Sequence, residues 1–166
     1  MPGGALRVEM TLRVLDALAQ CTRCPRLVAN RSQVVLPSGP TRTGGLVVLG
    51  QAPGRQEDRA NAPFVGKAGG YLRRLLELHA GVKPMACYIT NTVKCYPPRD
   101  RRPLKSELQH CTSTWLYPEL LELSPSLIVA LGDVALQAVA PGEHLQQLHG
   151  QCVNTAYGCV FVTYHP

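Results

Sequence analysis

Residues 46–54 have the sequence Leu46-Val47-Val48-Leu49-Gly50-Gln51-Ala52-Pro53-Gly54, an aliphatic run that leads straight into a glycine- and proline-containing turn. Nearly unbroken aliphatic runs are typical of strands that are buried on both faces of a parallel sheet. Further runs of this kind, each followed by a polar or glycine-rich turn, occur at Cys87–Thr90, Leu127–Leu131 and Cys159–Thr163. The sequence therefore predicts four buried strands.

Amphipathic segments alternate with these runs. In two of them, residues at helical spacing give the segment one apolar face: Leu72, Leu75, Leu76 and His79 in the first, and Leu104, Leu108, Cys111 and Trp115 in the second. Two more helices are predicted, from Met10 to about Ala19 and from Asp133 to Val139. The alternation predicts an α/β fold with three layers, α/β/α, around a central four-stranded, mainly parallel sheet in a single domain over residues 1–166.

Two features of this organisation remain open. The stretch from Asn30 to Gly45 is predicted to be a loop, with an extra edge strand at Gln33–Leu36 as the alternative. The sequence stops at His165-Pro166, directly after the fourth run, and we expect it to be truncated at its C-terminus.

Charge is distributed unevenly along the chain. Lys and Arg number 17 against 11 Asp and Glu, and residues 106–166 contain five acidic residues but no Lys or Arg. This polarity favours a partner with an extended anionic surface, such as nucleic acid, although a solvated basic face is the alternative. No apolar run approaches the roughly 18 residues of a membrane span, and the sequence predicts a soluble protein without membrane contact.

Seven cysteines, an odd number, without a signal sequence argue against a secreted disulfide framework. Cys21 and Cys24 lie three residues apart, and Cys95 and Cys111 provide a second pair. Four thiolates are compatible with either zinc or a 4Fe–4S cluster, and buried free cysteines are the alternative. For Cys87, Cys152 and Cys159, core packing is the preferred interpretation.

Candidate ligand-binding residues follow the predicted strands, because sites in open α/β sheets lie at the carboxyl ends of the strands. The turn at Gly50–Gly54 lacks the Gly-Lys-Ser/Thr ending of a P-loop. Phe64 could stack on a base, with core packing as the alternative role. Asn91 could bind the N3 and O4 edge of uracil, with structural capping as the alternative. His165 follows the last strand, and a basic loop suited to phosphates contains Lys94, Arg99, Arg101, Arg102 and Lys105.

In order and spacing, these motifs resemble the family 4 uracil-DNA glycosylases, which carry a 4Fe–4S cluster. The resemblance covers almost the whole chain. It rests on Cys21-x-x-Cys24-Pro-Arg-Leu, Gly50–Gly54, Glu57-Asp58, Pro63-Phe64-Val65-Gly66, Asn91-x-Val93-Lys94-Cys95, Pro97-Pro98, Arg102-Pro103, Cys111, Leu131-Gly132 and His165-Pro166. It implies a monomeric enzyme of the prokaryotic cytoplasm, active at the nucleoid, that removes uracil from DNA and so initiates base excision repair.

The resemblance also implies residue roles. Cys21, Cys24, Cys95 and Cys111 would hold a structural 4Fe–4S cluster. Phe64 would stack on the flipped uracil, Asn91 would bind its Watson–Crick edge, and His165 would hydrogen-bond uracil O2. Backbone N–H groups at Gln51 and Ala52 would share the negative charge on O2, and Glu57 or Asp58 would position water.

One departure from the family pattern bears on activity. Family members usually have Glu after the first glycine, where this chain has Gln51, which carries no charge and accepts no proton as a carboxylate does. Two alternatives follow, a non-catalytic DNA-binding module of the same fold and a glycosylase for another deaminated base such as hypoxanthine.

Overall fold

The computed structural model describes residues 14–166, and its centre is a five-stranded sheet. The strands are β1 (Leu46–Gly50), β2 (Tyr88–Asn91), β3 (Leu127–Leu131), β4 (Cys152–Thr155) and β5 (Gly158–Thr163), in the order β2-β1-β3-β5-β4. Neighbouring strands among β2, β1, β3 and β5 are parallel, whereas β4 pairs antiparallel with β5. The predicted fold class is confirmed, but the predicted strand number of four is wrong by one.

The strand missed by the sequence interpretation is β4, and its burial explains why. Cys152 and Asn154 are exposed while Val153 and Thr155 are partly buried, so the strand lacks the continuous apolar character of the other four. Such alternation is typical of an antiparallel edge strand with one solvated face. The alternative strand at Gln33–Leu36 is also wrong, since that stretch is irregular and a single antiparallel bridge instead joins Ser38 to Ile89.

Helices cover the sheet. In the described part of the chain they are α1 (14–19), α2 (Pro25–Val28), α3 (Arg55–Ala60), α4 (Lys67–Leu78), α5 (Lys105–Cys111), α6 (Tyr117–Leu123), α7 (Asp133–Val139) and α8 (Leu145–Leu148), with 3₁₀ turns at Pro84–Ala86 and Pro98–Asp100. The predicted helices at α4 and α7 are confirmed. The start of the predicted first helix, 10–13, lies outside the described residues.

The helix predicted around Leu104–Trp115 continues further than the apolar pattern indicated. A π turn at Thr112–Leu116 follows α5 and leads into α6. The indole of Trp115, in this turn, donates a hydrogen bond of 3.3 Å to Cys21 Sγ. The π turn thus directly follows one predicted metal ligand, Cys111, and contains the side chain that contacts another, Cys21.

The two faces of the sheet bury different clusters. On one face, strand residues such as Val47, Ile128 and Val160 pack with residues of α6 and α7. On the other face, Val48 and Ile89 pack with the apolar side of α4 and with Phe64. A third cluster, which includes Leu18, Leu27, Val93, Cys95 and Cys111, joins the N-terminal part of the described chain to the body. No helix within 14–166 has the length and apolar character that crossing a bilayer requires.

Candidate active site

A cleft of about 1000 Å³ opens at the carboxyl ends of the parallel strands. Because these strands run in the same direction, the segments that follow β1, β2, β3 and β5 all emerge at this edge of the sheet. The structure brings together six predicted site residues here, together with two residues of the basic loop: Gln51, Ala52, Glu57, Phe64, Asn91, His165, Arg101 and Arg102.

The floor of the cleft is formed where β1 and β2 end. Gly50 pairs with Asn91 in the sheet register, and both the Asn91 side chain and the Phe64 ring lie against the Cα of Gly50. A Cβ atom at Gly50 would lie 2.5 Å from Phe64 Cζ, which real side chains essentially never allow. Glycine is therefore required at position 50 for Phe64 and Asn91 to occupy their present positions.

Asn91 is the most buried polar residue among the predicted substrate-binding residues, at 4% exposure. No hydrogen bond among residues 14–166 engages its side-chain amide. Its donor and its acceptor are thus both available to a ligand in the cleft. Every fully buried side-chain N or O atom within residues 14–166 has a hydrogen-bond partner, so the unpaired polar atoms of this amide reach the surface of the cleft.

Phe64 adopts a strained backbone conformation, with φ at +53°. A bulky residue in the left-handed region is an outlier that the surrounding structure must hold in place. Glu57 supplies part of this support, since its Oε1 accepts hydrogen bonds from the N–H groups of Val65 (2.9 Å) and Gly66 (2.7 Å), and its Oε2 from that of Gly54 (3.1 Å). Arg73 Nε also donates a hydrogen bond of 3.3 Å to the Phe64 carbonyl oxygen, and the Cα of Gly69 lies directly against that carbonyl.

These contacts give the two acidic residues of the motif clear structural roles, which the sequence interpretation missed. Glu57 lines the cleft and organises the Phe64 loop. Asp58 is buried and accepts hydrogen bonds from the backbone N–H groups of Ser32 and Gln33, so it does not line the cleft and is not available to position water there. A glutamate three residues after a glycine that begins a helix was the signal, since this is capping-box spacing.

His165 lies at the exposed rim of the cleft. Its ring stacks at a centroid distance of 6.1 Å and an interplanar angle of 29° on the ring of Phe64. The Nδ1 atom lies 2.9 Å from the carbonyl oxygen of Pro166. Phe64 and His165 therefore face the same space, Phe64 from the loop after α3 and His165 from the end of β5.

The basic loop divides into side chains that line the cleft and side chains that do not. Arg101 forms two hydrogen bonds to Glu107, of 2.7 and 2.8 Å, and Arg102 forms an exposed 2.7 Å ion pair with Asp133. Arg99 and Lys105 are exposed outside the cleft lining.

The prediction that Lys94 binds DNA is wrong. Its side chain is 1% exposed and forms a 2.6 Å ion pair with Glu119, as well as a hydrogen bond to Thr90. Its flanking residues, Val93 and Cys95, are themselves buried, and this apolar context was the available signal.

The four cysteines of the predicted ligand set, Cys21, Cys24, Cys95 and Cys111, line one small cavity. Three of their sulfur atoms accept hydrogen bonds: Arg31 Nη1 donates to Cys95 at 2.8 Å, Trp115 to Cys21, and the Lys94 backbone N–H to Cys111 at 3.4 Å. Within residues 14–166, no three His, Cys, Asp or Glu side chains are close enough together to hold a single metal ion. The donor set thus surrounds a cavity without converging on one point.

Burial is the largest influence on the pKa values of three of these thiols. It raises the pKa of Cys111 to about 12, and it also raises the pKa values of Cys24 and Cys95, with Arg31 opposing the effect at Cys95. Among the remaining cysteines, Cys87 is buried as predicted and Cys159 partly so, whereas the core interpretation of Cys152 is wrong because this residue is exposed on β4.

Comparison with known proteins identifies the family of this chain. Residues 36–166 match the family model described as the Uracil DNA glycosylase superfamily. The chain is 36% identical to the type-4 uracil-DNA glycosylase of Thermotoga maritima, with 96% of this chain and 83% of the relative covered. It is 35% identical to the type-4 uracil-DNA glycosylase of Pyrobaculum aerophilum (91% and 80% covered) and 32% identical to the type-5 enzyme of the same organism (92% and 80%). The chain belongs to the uracil-DNA glycosylase superfamily, and its relatives group it with the type-4 enzymes.

Proposed function

We propose that this protein excises uracil from DNA by hydrolysing the N-glycosidic bond, which initiates base excision repair. The observation that carries the proposal is the uncommitted amide of Asn91 at the floor of the cleft, beside the ring of Phe64. A base-sized ligand with one N–H and one carbonyl on the same edge satisfies both halves of that amide.

Uracil has this edge. Asn91 Oδ1 accepts from the uracil N3–H while Nδ2 donates to O4, and the Phe64 ring supports the base by stacking. Cytosine presents the opposite pattern, with an acceptor at N3 and a donor at N4. In this orientation Asn91 therefore binds uracil and leaves unpaired polar groups against cytosine, which is the kind of mismatch that gives strong discrimination.

In the proposed reaction, hydrogen-bond donors at the ends of the strands stabilise the negative charge that develops on the leaving uracil. As the C1′–N1 bond breaks, its electron pair passes to the base and negative charge collects on O2. His165 and the backbone N–H groups at Gln51 and Ala52 stabilise that charge. Water adds to C1′ of the oxocarbenium-like sugar, positioned in our proposal by Glu57, and its proton goes to the departing base. The products are free uracil and an abasic site.

We further propose that Cys21, Cys24, Cys95 and Cys111 hold a 4Fe–4S cluster. Two observations support this assignment: all four thiols line one cavity, and donors from Arg31, Trp115 and the Lys94 backbone point at three of their sulfur atoms, as they would at thiolates. When bound, the cluster supplies a structural link between the N-terminal segment and the body. A brown protein with absorbance near 400 nm and bound iron is expected; a colourless protein with stoichiometric zinc would overturn this assignment.

The test of the proposed activity is abasic-site formation on a uracil-containing oligonucleotide by the parent protein, His165→Ala and Gln51→Glu. We expect cleavage by the parent, a loss of about 100-fold or more in His165→Ala, and a measurable change in Gln51→Glu. A parent that binds DNA and contains its cluster but releases no uracil would support the binding-module alternative. Faster base release from hypoxanthine-containing duplexes than from uracil-containing duplexes would support a glycosylase for another deaminated base.

A DNA substrate also implies the place of action. We propose that the enzyme works as a monomer at the nucleoid, in the prokaryotic cytoplasm. Size-exclusion chromatography with light scattering tests the monomeric state.

A further inference from the structure

We propose that a second groove, beside the cysteine cavity, binds the phosphate backbone of DNA that flanks the uracil. This inference rests on the proposed function. The groove has a volume of about 380 Å³, and its lining includes Arg23, Arg26, Leu104, Ser106 and His110. It also includes Cys24, so the groove and the cysteine cavity share a wall.

The groove presents uncompensated positive charge. Arg23, Arg26 and His110 are exposed, and none of the ion pairs within residues 14–166 uses Arg23 or Arg26. Exposed guanidinium groups without a carboxylate partner are suited to binding phosphate.

The acidic residue of the lining does not cancel this charge. Glu107 is 4% exposed, and its carboxylate accepts two hydrogen bonds from Arg101 and one from the Leu104 N–H. Arg101 therefore supplies most of the positive charge that neutralises Glu107, with Arg26 a weaker electrostatic neighbour, and the accessible part of the groove remains basic.

The groove continues from the cleft along one short stretch of chain. Arg101 and Arg102 line the cleft, Leu104 and Ser106 line the groove, and the Arg101–Glu107 ion pair stands between the two. A strand whose uracil occupies the cleft has a phosphate at every nucleotide, about 3.4 Å apart along the helix axis. Phosphates next to the flipped nucleotide reach Arg101 and Arg102, and those beyond them reach Arg23 and Arg26.

The test compares two double variants that each remove two positive charges. Arg23→Ala/Arg26→Ala removes them from the groove. The control, Arg42→Ala/Lys83→Ala, removes exposed charges that precede β1 and β2 and so lie at the opposite edge of the sheet. Dissociation constants are measured by fluorescence anisotropy on a uracil-containing duplex over a salt series, with single-turnover excision at saturating DNA as a second readout.

We expect the groove variant to bind the duplex about tenfold more weakly at low salt and to lower the slope of log K against log salt by about 1.8, since each released phosphate contact contributes about 0.9. The control should keep the parent's affinity and slope. Excision at saturating DNA should be unchanged in both, because the groove does not touch the base. On an oligonucleotide too short to leave the cleft, parent and groove variant should bind alike.

Equal affinity and slope in the parent and the groove variant, or an equal loss in the control, would overturn the proposal. Arg23→Gln/Arg26→Gln serves as a second variant if the alanine protein loses iron or thermal stability. A parent that fails to excise uracil would contradict the proposed function, yet its salt slopes would still decide whether this groove binds DNA.

Discussion

The Phe64 ring and the Asn91 side chain meet over a single backbone atom, the Cα of Gly50, where a Cβ would lie 2.5 Å from Phe64 Cζ and would overlap Asn91 Oδ1. Phe64 comes from the loop after α3 and Asn91 is the last residue of β2, and neither contact is visible from sequence spacing. Their convergence means that the geometry of the base-binding floor depends on an absent side chain. The first prediction follows from this.

Gly50→Ala should reduce uracil excision by about 100-fold or more, because it displaces the stacking ring and the recognition amide together. We expect a stability loss of about 1–3 kcal/mol from overpacking. Single-turnover excision and thermal unfolding measure the two effects.

The matched control is Gly70→Ala in α4, where an added Cβ would meet nothing within 4 Å. This variant should keep full excision and gain about 0.5–1 kcal/mol, since alanine is the better helix former. Equal losses of activity in the two variants would show that the Gly50 contacts are not what matters.

Glu57→Gln should loosen the loop that carries Phe64. The glutamine amide keeps one acceptor oxygen, but its NH₂ group replaces the other and then faces a backbone N–H that has lost its acceptor. This mismatch should lower the free energy of unfolding by about 1–3 kcal/mol. We expect weaker uracil binding, measured by fluorescence quenching with free uracil, together with a lower melting temperature. If excision falls while uracil binding and melting stay at parent values, Glu57 acts on water rather than on the loop.

Lys94→Met should lower the free energy of unfolding by up to about 3–5 kcal/mol, because it leaves the largely buried Glu119 without its cation. Chemical denaturation measures this loss. Lys105→Ala is the control: because Lys105 is exposed, its loss should change the free energy of unfolding by less than about 0.5 kcal/mol.

A double variant separates charge burial from side-chain volume. Lys94→Met/Glu119→Gln removes both charges and should recover much of the stability, because the amide oxygen introduced at position 119 can still accept the hydrogen bond from the Tyr88 hydroxyl. A double variant no more stable than Lys94→Met would argue that the ion pair is not the cause.

Arg101→Gln should make the protein less resistant to acid. Burial raises the pKa of Glu107, but hydrogen bonds from Arg101 and from the Leu104 N–H lower it, and the net pKa lies below the ordinary 4.5. A lowered folded-state pKa contributes stability that is fully present above about pH 4.5 and is lost as the pH falls through the folded value. Without Arg101, the midpoint of acid unfolding followed by circular dichroism should move to higher pH.

The control for this experiment is Arg102→Gln. Its ion pair with Asp133 is 61% and 44% exposed, and exposed pairs contribute little to stability. The acid midpoint should therefore stay at the parent value. A shift as large as that of Arg101→Gln would point to a general effect of lost positive charge.

The positions of the site residues were predictable because parallel strands end at one edge of the sheet. Apolar runs located β1, β2, β3 and β5, and the residues after them, including Gln51 and Asn91, therefore had to meet. Side-chain direction was not predictable in the same way. The basic stretch around Lys94 predicts a phosphate ligand, yet the chain turns this side chain inward to Glu119.

The features that sequence patterns missed depend on side-chain hydrogen bonds or solvent exposure, neither of which an apolar run reveals. The hydrogen bonds of Asp58 to Ser32 and Gln33 are one example, and those of Glu57 to the Phe64 loop are another. The edge strand β4 was missed because half of it faces solvent and so carries no apolar run.

The glycine under the base-binding residues limits how this cleft can evolve. Every substitution at Gly50 introduces a larger side chain, because no residue is smaller than glycine. Mutation at this position therefore cannot widen the floor of the cleft. A different base preference would have to arise at other residues of the cleft, such as Gln51, Asn91 or His165, while Gly50 is kept.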